Sequence, residues 1–113
     1  MTQFTTRQRG GASVVDIKGK IVLGIGDVQL GETVRNLLSD GARNVLLNLA
    51  DVTRIDSSGV GELASAYTAV SRAGGELKLA NLPPKISDLL RITQLITVFD
   101  VYDSEDEAVA SFD

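Results

Sequence analysis

The amino-acid sequence predicts an α/β fold in which a mixed, mostly parallel β-sheet of about 4–5 strands packs with four α-helices. Short apolar, β-branched segments alternate along the chain with amphipathic segments whose apolar residues recur at helical spacing. The segment Val45–Leu49 is almost continuously apolar, which is typical of a central strand covered on both faces. The length of 113 residues predicts one domain over residues 1–113.

The chain begins with a predicted pair of strands. Phe4 to Arg9 is a short, polar first strand, and Gly10-Gly11 is typical of a hairpin turn. Val14–Ile17 is β-branched and forms the second strand. Lys20–Leu23 either extends this strand or follows it after Gly19.

A first helix follows a glycine-rich loop. Gly24–Asp27 is predicted as a flexible loop, with Asp27 as a candidate helix cap. The next apolar residues follow the i, i+4, i+7, i+8 pattern of an amphipathic helix: Leu30, Val34, Leu37 and Leu38. Gly41 closes the helix. After the central strand, Ala50–Ile55 is predicted as a connector.

The second half repeats the alternation of helix and strand. A helix is predicted from about Ser58 to Ala73, and Gly74-Gly75 ends it before a strand at Leu77–Ala80. Pro84 suits the first position of a short third helix, whose inner face is formed by Ile86, Leu89 and Leu90.

Val98–Tyr102 is predicted as the last strand, and a short helix follows it. Ser104 and Glu107 have the spacing of a capping box, which opens a C-terminal helix containing Val109 and Phe112.

Composition excludes several kinds of chemistry. The chain contains no cysteine and no histidine, so thiolate nucleophiles, zinc–thiolate sites and serine–histidine–aspartate triads are impossible. The net charge of −4 argues against direct binding of nucleic acid. The acidic residues are scattered and predict no metal site. A secretory signal and a long apolar run are not found in the sequence, so we expect a cytoplasmic protein without membrane insertion.

The segment Asp56–Gly61 carries the strongest functional signal. It places two hydroxyls beside a carboxylate where a helix begins, and unpaired backbone N–H groups there favour negative charge. A phosphate added to a serine at this position would be tolerated by the fold, which predicts a switch. The alternative interpretation is structural, because Asp and Ser are the preferred helix caps. Gly59 and Gly61 leave the first turn almost bare, as expected if another protein approaches the serines closely.

The segment Val45–Gly61 resembles the signature of bacterial anti-sigma factor antagonists, which are single STAS domains. The resemblance extends over essentially the whole chain, including Gly74-Gly75 before a strand and the acidic-capped terminal helix. It implies that the unphosphorylated protein binds an anti-sigma factor with serine kinase activity and thereby releases a sigma factor. It also implies that phosphorylation by this kinase inactivates the protein and that a PP2C-type serine phosphatase restores it.

The resemblance also implies the site residues. Ser57 is the phosphoacceptor, and the partner contacts include its neighbours Asp56, Ser58, Gly59, Val60, Gly61 and Glu62. The loop before the first helix borders the partner site in this family, and it adds Gly24, Gly26 and Asp27. This loop departs from the family pattern because it is longer, more apolar and richer in glycine. Its Leu23 and Ile25 either contact the partner or pack on the sheet.

Two other functions remain open at this stage. The chain could be a STAS module of a signalling scaffold or a cytoplasmic accessory subunit of a lipid transporter, with Ser57 serving only as a helix cap. A small enzyme or nucleotide-binding protein is the third class. Gly59, Gly61 and Ala64 match a dinucleotide fingerprint, but the long connector before them and the missing acidic residue after the next strand weigh against it. We therefore expect a regulatory protein that is not an enzyme and has no cofactor.

Overall fold

The computed structural model describes residues 2–112; Met1 and Asp113, the ends of the predicted domain, lie outside the described residues. Five strands and four helices follow one another in the predicted order, with a short 3-10 turn at Leu95–Thr97 before the last strand. The elements are β1 (Gln3–Arg9), β2 (Ala12–Ile21), α1 (Asp27–Ser39), β3 (Asn44–Ile55), α2 (Ser57–Arg72), β4 (Glu76–Ala80), α3 (Pro84–Ile92), β5 (Asp100–Tyr102) and α4 (Glu105–Ala110).

The five strands form one sheet in the order β1-β2-β3-β4-β5. The β1–β2 pair is an antiparallel hairpin, and the three other pairs are parallel. Each parallel connection passes through a helix, as parallel strands require. The prediction of a mixed, mostly parallel sheet with four helices is therefore confirmed.

The central strand β3 is covered on both faces, as its apolar sequence predicts. Val45, Leu47 and Leu49 face the main core, which also contains the buried apolar side chains of α1, α2 and α3. Leu46 points to the opposite face, where it belongs to a smaller cluster with Val14, Ala80 and Ala108. Three helices thus cover one face of the sheet, and α4 covers part of the other.

The prediction that Ala50–Ile55 forms a connector is wrong, because β3 continues to Ile55. The added residues pair in parallel with the end of β2, from Lys18 opposite Asp51 to Ile21 opposite Ile55, with two register shifts. Val52 is buried in the main core and anchors this extension. The last strand is also shorter than predicted and begins at Asp100, because Val98 ends the 3-10 turn Leu95–Thr97 and donates its N–H to the Leu95 carbonyl.

Helix α4 is attached to β1 by ion pairs. Ser104 caps the helix by accepting a hydrogen bond from the Glu107 N–H at 3.1 Å, as predicted. The Glu105 carboxylate accepts hydrogen bonds from both Arg7 and Arg9, with Arg9 Nη1 at 2.6 Å. These contacts hold the C-terminal helix over the sheet face opposite to the main core.

Candidate functional site

Helix α2 begins directly after β3, and Asp56 caps it. Asp56 Oδ1 accepts a hydrogen bond from the Gly59 N–H at 3.0 Å, which satisfies one free donor of the first turn. Asp56 Oδ2 accepts a second bond, at 3.0 Å, from the N–H of Leu23 in the loop between β2 and α1. A single carboxylate therefore joins the start of α2 to this loop.

The start of α1 differs from the sequence prediction. Asp27 is the first residue of the helix, and Gly26 occupies the cap position with φ of 89°. A Cβ at residue 26 would lie 2.2 Å from the carbonyl oxygen of Lys20, so only glycine fits there. Gln29 completes the cap by accepting the Gly26 N–H at 3.0 Å. The prediction of Asp27 as the cap is wrong because the close approach of the two chain segments requires glycine at that position.

The Asp27 carboxylate instead forms a second link to α2. Its Oδ2 accepts a hydrogen bond from the Ser58 hydroxyl at 2.8 Å, and its Oδ1 accepts the N–H groups of Val28 and Gly24. The Ser58 hydroxyl, together with these N–H groups, holds the pKa of Asp27 below its usual value. The N–H groups of Leu23 and Gly59 do the same for the pKa of Asp56. Both carboxylates are therefore charged at neutral pH.

The two adjacent serines have different surroundings. Ser58 is half-buried and its hydroxyl is bound to Asp27. Ser57 is exposed at the first position of α2, and within residues 2–112 no hydrogen bond engages its hydroxyl. Ser57 is therefore the hydroxyl of this pair that another protein can reach without breaking a contact inside the chain.

An exposed apolar turn lies beside this helix start. Val22 and Ile25 exchange backbone hydrogen bonds of 2.8 and 2.9 Å, which close a tight turn with Gly24 at φ of 79°. The side chains of Leu23, Ile25 and Val28 are 77%, 45% and 54% exposed. Leu23 and Ile25 therefore do not pack on the sheet. We call Leu23, Ile25 and Val28 the apolar rim.

Val28 is a site residue that the sequence interpretation missed. It lies in the first turn of α1, but it is outside the stripe of Leu30 and Val34 that faces the core. An apolar residue off the buried stripe of an amphipathic helix is a signal for an exposed contact, and it was available in the sequence.

Several predicted partner contacts have roles inside the chain. Gly59 is buried, and a Cβ there would lie 2.0 Å from the carbonyl oxygen of Ile21. The absence of a side chain at Gly59 therefore allows α2 to pack closely on β2. Val60 is also buried in the core. Gly61, by contrast, is exposed with open space around it. Glu62 is half-buried, and its Oε2 would lie 3.0 Å from a Cβ at Gly31 between α1 and α2.

The side chains at this site are suited to binding another molecule and to covalent modification of a hydroxyl group. Among residues 2–112, no three acidic side chains are grouped closely enough to hold a metal ion. Over the same residues, none of the helices is both long and apolar enough to cross a membrane. What the site presents is an exposed hydroxyl, two charged carboxylates and an apolar rim.

Comparison with known proteins defines the class of this protein. The family model for the STAS domain matches residues 3–108. The chain therefore belongs to the STAS-domain family, and relatives that it resembles include anti-sigma factor antagonists. The anti-sigma-B factor antagonist of Bacillus subtilis is 34% identical over 77% of this chain and 78% of its own length. The anti-sigma F factor antagonist of Paenibacillus polymyxa is 23% identical over 98% of this chain and 95% of its own length.

Solved structures show the same fold. An anti-sigma factor antagonist from Mycobacterium paratuberculosis superposes with a TM-score of 0.87 at 20% identity, covering 99% of this chain and 94% of its own. The Bacillus cell fate determinant SpoIIAA, in its phosphorylated form, superposes with a TM-score of 0.74 at 19% identity, covering 96% of this chain and 98% of its own.

Proposed function

We propose that this protein is a phosphorylation-controlled antagonist of an anti-sigma factor. Unphosphorylated, it binds an anti-sigma factor that is also a serine kinase, and this binding releases a sigma factor. Phosphorylation of Ser57 ends the interaction, and a PP2C-type serine phosphatase restores it. The observation that carries the proposal is the exposed Ser57 at the start of α2, beside the apolar rim, while Ser58 is bound to Asp27.

The electrostatics of the helix start support control of binding without control of folding. A phosphate brings roughly −1.5 to −2 charges at neutral pH. The free N–H groups and the dipole of α2 favour this charge, so the folded chain tolerates it. A partner packed over Ser57 would have to accommodate the bulk of the phosphate and its negative charge beside Asp56, and packing would strip the phosphate of its hydration.

The apolar rim supports a protein as the partner. Leu23, Ile25 and Val28 are exposed together, and burying exposed apolar side chains is a main source of binding free energy. Asp56 bonds to the Leu23 N–H and also precedes Ser57, so the rim and the phosphoacceptor are held in one fixed arrangement. In this proposal the protein is regulatory, acts in the cytoplasm and needs neither a cofactor nor direct contact with nucleic acid.

The experiment is a partner pull-down from native lysate with the wild-type protein, Ser57→Asp and Ser65→Asp. Ser65 is exposed on the same helix, so its variant controls for a negative charge placed away from the site. We expect wild type and Ser65→Asp to retain an anti-sigma factor with kinase activity, and Ser57→Asp to lose it. Incubation of the retained kinase with ATP should then place one phosphate on Ser57 and none on Ser57→Ala.

The same experiment tests the other STAS functions. If all three proteins retain the same scaffold or transporter subunits, the proposed switch is wrong and Ser57 acts only as a helix residue.

A further inference from the structure

A cleft of about 670 Å³ lies between the end of β3 and the start of α3. The cleft exists because β3 extends further than its neighbour β4 at the carboxyl end of the sheet. β4 stops at Ala80, whose register partner on β3 is Asn48, whereas β3 continues to Ile55. The last residues of β3 therefore extend beyond β4, and the cap residue Pro83 and the first part of α3, to Leu89, close the space beside them. Its volume lies within the usual range for small-molecule sites.

The wall of the cleft is mainly apolar. Val52 and Ile86 are buried members of the main core, and they line the cleft together with Ile55, Pro83 and Leu89. Since these residues come from a strand and a helix that are both anchored in the core, the cleft is a formed feature of the fold. An apolar wall of this kind favours a ligand with a hydrocarbon or aromatic body.

All the charged side chains that line the cleft are cations, namely Arg54 and Lys85. Within residues 2–112, neither cation forms an ion pair with a carboxylate. Helix α3 also begins here, and its cap residue Pro83 supplies no side-chain hydrogen bond, so the positive end of the helix faces the same region. The charge of the cleft therefore favours an anion.

We propose that this cleft binds a small amphipathic carboxylate. The apolar body of the ligand lies against Val52, Ile55 and Leu89, and its carboxylate lies near Arg54 and Lys85. Such a ligand would occupy a position beside Ile55, two residues before Ser57, and its binding does not depend on the function proposed above.

The test is a titration of the ¹⁵N-labelled full chain with decanoate below its micellar concentration, followed by amide chemical shifts. Decanol is the neutral control of the same chain length. We expect saturable binding of decanoate with amide shifts confined to residues 52–55 and 85–89, since Pro83 and Pro84 carry no amide N–H, and at least about fivefold weaker binding of decanol. Equal binding of decanol, shifts elsewhere in the chain, or no saturation would overturn the proposal.

Charge variants provide a second test. Lys85→Gln and Arg54→Gln should each raise the Kd for decanoate about threefold to fivefold. Lys18→Gln removes an exposed lysine that lies outside the cleft and should leave the Kd unchanged. The amide spectra report folding of each variant directly. An unchanged Kd in both cleft variants, or an equal loss in Lys18→Gln, would show that the cations of the cleft do not recognise the carboxylate.

Discussion

At the residue scale, the adjacent hydroxyls of Ser57 and Ser58 have different tasks. The Ser58 hydroxyl donates to the buried Asp27 carboxylate, and this bond connects the start of α2 to the start of α1. The Ser57 side chain is free of such a contact within residues 2–112 and lies at the positive end of α2. The position of the charge, and not merely its presence, therefore decides whether a modification disturbs the fold.

Aspartate substitutions separate these two roles. Ser57→Asp should leave the Tm within about 2 °C of wild type, because the new charge is exposed and interacts favourably with the helix dipole. Ser58→Asp should lower the Tm by about 5 °C or more, because it replaces a donor to Asp27 with a second carboxylate. Thermal unfolding by circular dichroism measures both. A large loss of stability in Ser57→Asp would contradict the separation of binding from folding.

The two glycines near the start of α2 form a second matched pair. Gly59→Ala should destabilise the protein by about 3 kcal/mol, because the new Cβ would overlap the carbonyl oxygen of Ile21. Gly61→Ala should stabilise it by about 0.5–1 kcal/mol, because this position is helical, exposed and open. Urea unfolding of the two variants gives both free energies. Similar values for the two would show that Gly59 is not needed for the packing of α2 on β2.

At the scale of elements, α4 is held to β1 by charges whose effect depends on pH. Arg7 and then Arg9 hold the pKa of Glu105 below its usual value of 4.5 by hydrogen bonding to its carboxylate. A carboxyl group with a lowered pKa in the folded state stabilises the fold above its unfolded pKa. This contribution is lost as the pH falls below about 4.5 and through the lower folded pKa.

Glu105→Gln tests this attachment. At pH 7 it should cost about 1 kcal/mol in the free energy of unfolding, a small value because the arginines are partly exposed to solvent. The difference from wild type should shrink as the pH falls from 5 to about 2. Glu107→Gln is the control, because within residues 2–112 its carboxylate forms no ion pair. A constant difference across this pH range would assign the effect to packing.

The elements also show what a sequence can and cannot reveal. The helical stripe from Leu30 to Leu38 and the Ser104 cap are local patterns, and both predictions were confirmed, although of the capping box only the bond from the Glu107 N–H to Ser104 is present. The end of β3 was missed because Asp51, Thr53 and Arg54 are polar and exposed, and only pairing with the distant β2 makes the segment a strand. Local patterns therefore predict the presence of a helix or strand better than they predict the residues at which it begins and ends.

The same distinction applies to the site. Asp56 and the helix start follow from local spacing, so the region of the proposed phosphoacceptor could be found in the sequence. The bonds that assemble the site join residues far apart in the chain. Asp27 and Ser58 are separated by 31 positions, and Leu23 and Asp56 by 33. The periodic pattern of residues within a single element therefore cannot predict these contacts.

At the scale of the whole molecule, the sheet topology brings the site together. β2 and β3 are adjacent and parallel, so the loop after β2 and the helix start after β3 emerge at the same edge of the sheet. The apolar rim and Ser57 therefore lie at the same end of the sheet, although they belong to different connections, and the bond from the Leu23 N–H to Asp56 joins the two segments. The proposed carboxylate cleft lies at the same edge, beside the end of β3.

The apolar rim should carry much of the affinity for the protein partner. Leu23→Ser should raise the Kd for the purified anti-sigma factor about tenfold, because it removes most of an apolar side chain that the partner would bury. Ile92→Ser is the control, because Ile92 is equally apolar and 79% exposed. It is the last residue of α3, and the first turn of that helix is the end that lies near the site. Calorimetric titration measures both affinities, and both variants should unfold at the wild-type temperature because neither side chain is in the core. If Ile92→Ser weakens binding while Leu23→Ser does not, the partner binds the far end of α3, and a phosphate on Ser57 would then have no direct route to the interface.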